Sequence, residues 1–501
     1  TENPVIQTPI DSTAVQSAET APEDTVKIPL FDFRPQSVSH LRGMYRDSTF
    51  IFGSRYTSFG DVLDWLPGGY YANLGSSGQT AFGSLFGAPV GEFLLEYDGL
   101  ILNNPISGAV DLNLVPTESI GNVGLVHSPM RPFGYLPIGG SMHIRAMDIA
   151  DNPIRSQVGY RYGYYGSDDV DVRVGVRASE RLWMNFGGLI KSYTGIVPNQ
   201  KYSGNKINFS LNRRLGPNWL AKYIVLFNQR DTEVPLPAVL PQLPEFTNPR
   251  QKDRRTDHSL QIYYKSKFKT LLQFTKLEQD FHAQQRSVFD ERHNAYAYRL
   301  ISEINGKMGF AKWNAGMTGS ATWLNSDNWG KKSEWQAQAY GNLSGRLTPT
   351  FEWLAGIRAQ EHGDYSPQVL PEMNLFYTAD STLRFSAWAN RVATFPSLQA
   401  KYANGPFALG NKSLSIALYD QIGIAGEKQF EDLFIHGSAV FQQRNNQIAA
   451  LFADEESRYV NLPNHNVVNI NALFDYSFLK DWRFVFKGDY FKILEDKPVV
   501  A

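Results

Sequence analysis

The sequence predicts an all-β chain: a transmembrane antiparallel β-barrel of about 18 or more strands beyond residue 150, preceded by a small α+β unit. Three observations carry this. Apolar and polar residues alternate with period two in segment after segment, as in strands whose two faces meet different surroundings. Many of these segments run about 10 to 14 residues, longer than the usual 5 to 6 of globular strands. Short turns also alternate with longer loops along the chain, the pattern of an outer-membrane barrel.

Residues 1–39 are rich in Thr, Pro, Glu and Ser without periodicity and read as a flexible tail. Residues 40–149 are Gly-rich, with short apolar runs. In TSFGDVLDWLPGGYY, Thr57 or Ser58 can cap a helix in which Phe59, Val62, Leu63 and Leu66 share one face. Pro67-Gly68-Gly69 ends it. FLLEYDGLILNNP (93–105) reads as a hairpin turning at Asp98-Gly99, because Asp-Gly accepts the positive φ that a tight hairpin demands.

From residue 150 to 501 the alternation takes over. DVDVRVGVRA (169–178) sets Val170, Val172, Val174 and Val176 against Asp169, Asp171, Arg173 and Arg177. AKWNAGMTGSATW (311–323) and DWRFVFKGDY (481–490) repeat the pattern, and several apolar faces end in Trp or Tyr, as interfacial girdles do. The polar faces suit a wet lumen. Short turns are expected at 178–180, 215–218, 305–307, 348–350, 379–381 and 480–481. Longer connections are expected near 194–202, 230–254, 281–291, 324–333, 394–413 and 446–465. About 17 strands can be read, and because single-chain bacterial barrels hold an even number, the sequence is expected to stop short of its last strand.

Composition excludes other classes. Lys and Arg (48) balance Asp and Glu (49), so no basic excess points to nucleic acid. There is no cysteine, hence no disulfide framework and no thiolate metal site. No run of about 18 apolar residues offers a membrane-spanning helix. Metalloprotease, P-loop, nucleophile-elbow and dinucleotide motifs are lacking, and the nine His have no ligand spacing. The expectation is a non-enzyme without metal or cofactor. The acidic pairs Asp168-Asp169 and Glu455-Glu456 read as solvated loop charge.

Five pieces in order give the N-terminal unit a family likeness: the helix ending in Pro-Gly, NLGSSGQT (73–80), the Asp-Gly hairpin, VDLNLVPTESIGNVGLVHSP (110–129) and GGSMHIRAMDI (139–149). Together they resemble the plug domain of TonB-dependent outer-membrane receptors. The resemblance implies a plug folded inside the barrel lumen, residence in the bacterial outer membrane among its lipids, and energised uptake of a scarce ligand. It also implies a TonB-type energy-coupling partner, which would grip an extended segment of the tail. Glu23, Asp24, Thr25, Val26, Lys27 and Ile28 are the candidate segment, able to add a strand to a partner's sheet edge. Where the family carries plug arginines, this chain has Leu85-Phe86-Gly87 and Val126-His127-Ser128-Pro129. The alternative reading is a plugged barrel that serves as a scaffold or binding subunit for other outer-membrane proteins without active transport. Ligand contacts are expected on the long loops and the plug apex, with Phe395, Tyr402 and Phe407 as stacking candidates.

Overall fold

The computed structural model describes residues 45–46, 51, 58–72, 80–89, 92–126, 138–147, 154–196, 199–234, 247–265, 267–284, 289–405, 408–453, 456–479 and 482–494. Residues 23–28 and Phe407 lie outside them. Helix α1 (Phe59–Asp64) starts at Ser58, whose backbone N–H donates to the Asp61 carboxylate at 3.0 Å. That bond satisfies a donor the helix itself cannot. Its buried face, Phe59, Val62 and Leu63, meets Phe93, Leu95, Tyr97 and Met142 in one apolar core.

Strands β1 (Tyr45–Arg46), β2 (Gly69–Ala72), β3 (Phe82–Leu85), β4 (Leu94–Tyr97), β5 (Leu100–Ile101), β6 (Ile120–Val126) and β7 (Ser141–Ala146) complete this unit. Five of them form a sheet in the order β1-β6-β7-β4-β5, with β2 and β3 paired separately. The β4–β5 hairpin turns as expected: Asp98 has φ 50° and Gly99 φ 91°, the two positive values of a type I′ turn. Only Gly fits at the second position, since a Cβ there would meet Leu271 Cδ1 at 2.9 Å.

The remaining strands are β8 (Ile154–Gly163), β9 (Ser167–Ser179), β10 (Leu182–Tyr193), β11 (Tyr202–Arg214), β12 (Trp219–Glu233), β13 (Thr247–Tyr264) and β14 (Phe268–Gln284). Then come β15 (Phe289–Met308), β16 (Ala311–Ser326), β17 (Gly330–Thr348), β18 (Phe351–His362), β19 (Tyr365–Thr378) and β20 (Leu383–Thr394). Helix α2 (Leu398–Tyr402) precedes β21 (Asn404–Gly405), β22 (Ala408–Leu409), β23 (Ala417–Gln429) and β24 (Leu433–Asn445). The chain continues through β25 (Ile448–Ala453), β26 (Glu456–Asn461), β27 (His465–Leu479) and β28 (Trp482–Ile493). Seventeen of these strands curl into a barrel in chain order, while β21, β22, β25 and β26 make a small sheet of their own. β28 and β8 flank the barrel seam, and β28 is exposed along almost its whole length.

Alternation sorts the wall by face. Met317, Ile357 and Ile422 point outward and are exposed, whereas Gln261, Gln273 and Gln442 point inward and are buried. An apolar outer face is what lipid requires. Ile357→Arg should therefore destabilise the barrel by about 2–4 kcal/mol, the cost of a cation on the lipid face near the midplane. Urea titration of folding into lipid vesicles reads this directly, and an unchanged midpoint would show that Ile357 does not face lipid.

Three expected connections differ, the first at 281–291, where β14 runs on to Gln284 and β15 starts at Phe289. Asn305-Gly306-Lys307 is not a turn: β15 runs on to Met308, and the chain reverses at Gly309-Phe310, where Gly309 has φ 59°. Gly306 instead makes room for the ring of Trp313, its cross-strand partner, a pairing that stabilises a strand glycine. The connection expected at 324–333 is a tight turn between Ser326 and Gly330, because β16 and β17 continue their ladder to that point.

Candidate functional site

The hairpin unit sits inside the barrel and is bonded to its wall. Among the described residues these bonds come chiefly from two arcs. In the first, Lys222 on β12 pairs with Asp98 at 2.8 Å. Gln261 donates to the Asp98 carbonyl at 2.6 Å, and Gln273 brackets the Ile101 backbone, accepting its N–H at 3.0 Å and donating to its carbonyl at 2.9 Å. Arg255, held by Asp257, donates to the carbonyls of Leu102 and Ile101. Arg230 donates to plug Asp111 and to wall Asp253, both at 2.5 Å, with all three side chains nearly buried. Asn208 donates to Glu118 at 2.5 Å. In the second arc, Gln421 donates to the Ile138 carbonyl at 2.8 Å, Arg444 to the Gly87 carbonyl and Lys487 to the Gly69 carbonyl. The cations of this latch sit on the wall, and the plug presents Asp98, Asp111 and Glu118 to it. That arrangement serves where Leu85-Phe86-Gly87 offers no arginine: the Phe86 and Gly87 carbonyls are the acceptors instead.

Past the hairpin, the apex loop is braced by two asparagines. Asn103 accepts from Leu95 N–H at 3.0 Å and donates to the Phe93 and Gly108 carbonyls. Asn104 accepts from Ile106 and Ser107. Ile106, at the tip, packs among Leu277, Ala295, Leu324 and Leu398. Its carbonyl accepts from Gln399 N–H of α2 at 3.0 Å, so the long loop after β20 rests on the plug apex. Beside this contact opens a cavity of about 760 Å³ between apex and wall. Asn103, Ile106 and Asp111 line it from the plug, Arg230, Arg299 and His362 from the wall, and Phe395 and Gln399 from the loop.

Phe395 is buried, stacked on His362 (ring centroids 5.0 Å apart) with Tyr365 edge-on, and reaches the cavity. Tyr402 does not line the cavity. It packs on the Ile106 cluster, with the ammonium groups of Lys332, Lys401 and Lys412 over its ring at 4.8, 5.7 and 5.6 Å. Periodicity did not single out Arg230, Arg299 or His362, since alternation names the inward face without naming what each inward residue meets.

Two plug carboxylates are unusual. Burial pushes Glu92 up to about 7, against the pull of Arg444 and of the Tyr419 hydroxyl that donates to it at 3.3 Å. Its folded value lies above the ordinary 4.5, so the stability it contributes is full below that value and is lost as pH rises through about 7. Measured against the base-catalysed intrinsic exchange rate at each pH, plug amides should be less protected at pH 8 than at pH 5, and Glu92→Gln should flatten that difference; an undiminished difference in the variant would assign it elsewhere. The second is Glu96, whose Oε2 lies 2.9 Å from His143 Nδ1, while His143 Nε2 meets Ser141 Oγ at 2.7 Å. Hydroxyl, imidazole and carboxylate stand in the order of a nucleophilic triad. All three are buried, and none lines the cavity. Glu96 pairs with His143 across the parallel β4–β7 ladder and shares a face with Leu94, which packs on wall residues Leu271 and Ile301. The network fixes the plug sheet against the wall.

No protein-family model and no curated protein matches the sequence. Solved structures do. The siderophore receptor PirA from Acinetobacter baumannii superposes with TM-score 0.73 at 13% identity, over 92% of this chain and 81% of that one. PirA from Pseudomonas aeruginosa gives 0.74 at 13%, over 90% and 85%. The copper transporter OprC gives 0.73 at 8%, over 87% and 77%. At such identities the likeness speaks for architecture, and it agrees with the latched plug and the seventeen-stranded wall. The chain has the plugged-barrel fold of TonB-dependent outer-membrane receptors.

Proposed function

We propose that the protein is an outer-membrane receptor that takes up a scarce ligand by energised displacement of its plug. The observation that carries this reading is the cavity over the braced apex, formed jointly by plug, wall and outer loop. A ligand held there touches the element that must move, so binding and gating share one contact surface. Phe395 would stack on the ligand, Tyr402 would support the loop, and Phe407 remains a candidate contact. The segment Glu23–Ile28 would add a strand to a TonB-type partner, and the pull would be resisted by the latch described above. No bond is made or broken in the ligand.

The test is a pull-down of the purified chain with the periplasmic domain of a TonB-type protein, with and without residues 23–28. Binding that is lost on deletion is the expected result. Absence of binding in both forms would overturn energised uptake and favour a scaffold role beside other outer-membrane proteins.

A further inference from the structure

Four inward side chains stand in one row across four neighbouring strands. The ladders pair Arg299 with Ser320, Ser320 with Gln336, and Gln336 with His362. At a strand spacing of about 4.8 Å the row is about 14 Å long. All four residues line the cavity. The next position in the same row, Gln273, is already bonded to the plug. Among the described residues, the Arg299 guanidinium, the Ser320 hydroxyl and the Gln336 amide have no hydrogen-bond or ion-pair partner. The buried His362 keeps Nδ1 unpartnered while its Nε2 faces Glu334 at 3.7 Å. Thr394, also buried at the cavity, has an unpartnered hydroxyl. His362 Nδ1 and Thr394 Oγ1 are thus buried polar atoms that a water or a ligand can satisfy.

The other charged groups around the row have partners, two carboxylates sharing Arg230. Arg230 is held by Asp111 and Asp253, and Arg255 by Asp257. Asp280 meets Arg292, Glu291 meets His293, and Glu334 meets Lys401. Arg299 is the arginine lining the cavity that makes no ion pair among the described residues. An arginine fork is suited to a carboxylate or other flat oxyanion. Beside it lie a hydroxyl and an amide, which can donate and accept, and then the His362–Phe395 stack, which offers an apolar ring face.

Resting on the uptake reading above, we infer that this row recognises an elongated, hydroxylated organic acid, of the class of acidic oligosaccharides. The acid group docks on Arg299, hydroxyls bond Ser320 and Gln336, and the far end lies against His362 and Phe395.

The test titrates the purified full chain in detergent with three probes by calorimetry: trigalacturonate, neutral maltotriose and the compact acid citrate. Trigalacturonate should bind at least about ten-fold more tightly than either of the others, since maltotriose lacks the charge-assisted contact to Arg299 and citrate is too short to reach the rest of the row. Arg299→Gln should erase the preference over maltotriose, and Ser320→Leu should block the row without altering charge. Equal affinity for all three probes, no binding of trigalacturonate, or unchanged binding in folded Arg299→Gln and Ser320→Leu would each overturn the assignment. None of these results bears on the pull-down with residues 23–28, so failure here is separable from failure of energised uptake.

Discussion

Arg230→Leu should loosen the plug by about 3–5 kcal/mol, the usual penalty for removing one partner of a buried ionic cluster. The reason is arithmetic of charge: Asp111 on the plug and Asp253 on the wall would face each other across the vacated site without a cation. Each keeps weaker donors, the Ala81 and Asn113 N–H groups for Asp111 and the Gln251 amide for Asp253, and these cannot neutralise two carboxylates. Amide exchange around Ala81 and Asn113 should accelerate, and the barrel should leak ions in planar bilayers. Pairing Arg230→Leu with Asp111→Asn should recover part of the loss, because the substitutions share one interaction. Wild-type exchange in Arg230→Leu would mean that the latch is carried by the other bonds.

His143→Leu should cost a similar amount, about 3–5 kcal/mol, by leaving Glu96 buried without its imidazole. The pair joins β4 to β7 at the centre of the plug sheet, so the loss should show as faster exchange along both strands with the barrel intact. The double variant Glu96→Leu, His143→Leu should be closer to wild type than His143→Leu alone, since replacing a whole buried pair with apolar groups removes the desolvation penalty along with the attraction. Should the double variant be the worse of the two, the pair would be doing more than cancelling its own burial.

The barrel was legible in the sequence because lipid on one side and polar lumen on the other impose period two on every strand, as Val170 to Val176 against Asp169 to Arg177 display. The hairpin at Asp98-Gly99 was legible because backbone sterics leave few residues able to turn there. The same rule misled at Asn305-Gly306, where cross-strand Trp313 covers the glycine and the strand continues. The latch and the cavity row were not legible. Arg230 and Arg299 are both inward residues of long strands, yet one is consumed by two carboxylates and the other has no partner among the described residues. That difference depends on which part of the plug lies opposite, a relation set by contacts more than a hundred residues apart in the chain, as with Arg230 and Asp111.

The seat of Gln399 and Leu398 on Ile106 makes the outer loop a gauge of plug position. If the plug apex withdraws, α2 loses the Ile106 part of its apolar footing and its hydrogen bond to the Ile106 carbonyl. The face presented to the surroundings then changes whenever the interior is drawn inward. Antibodies, phages or competing ligands that read this loop would distinguish a resting molecule from one under tension, without entering the barrel.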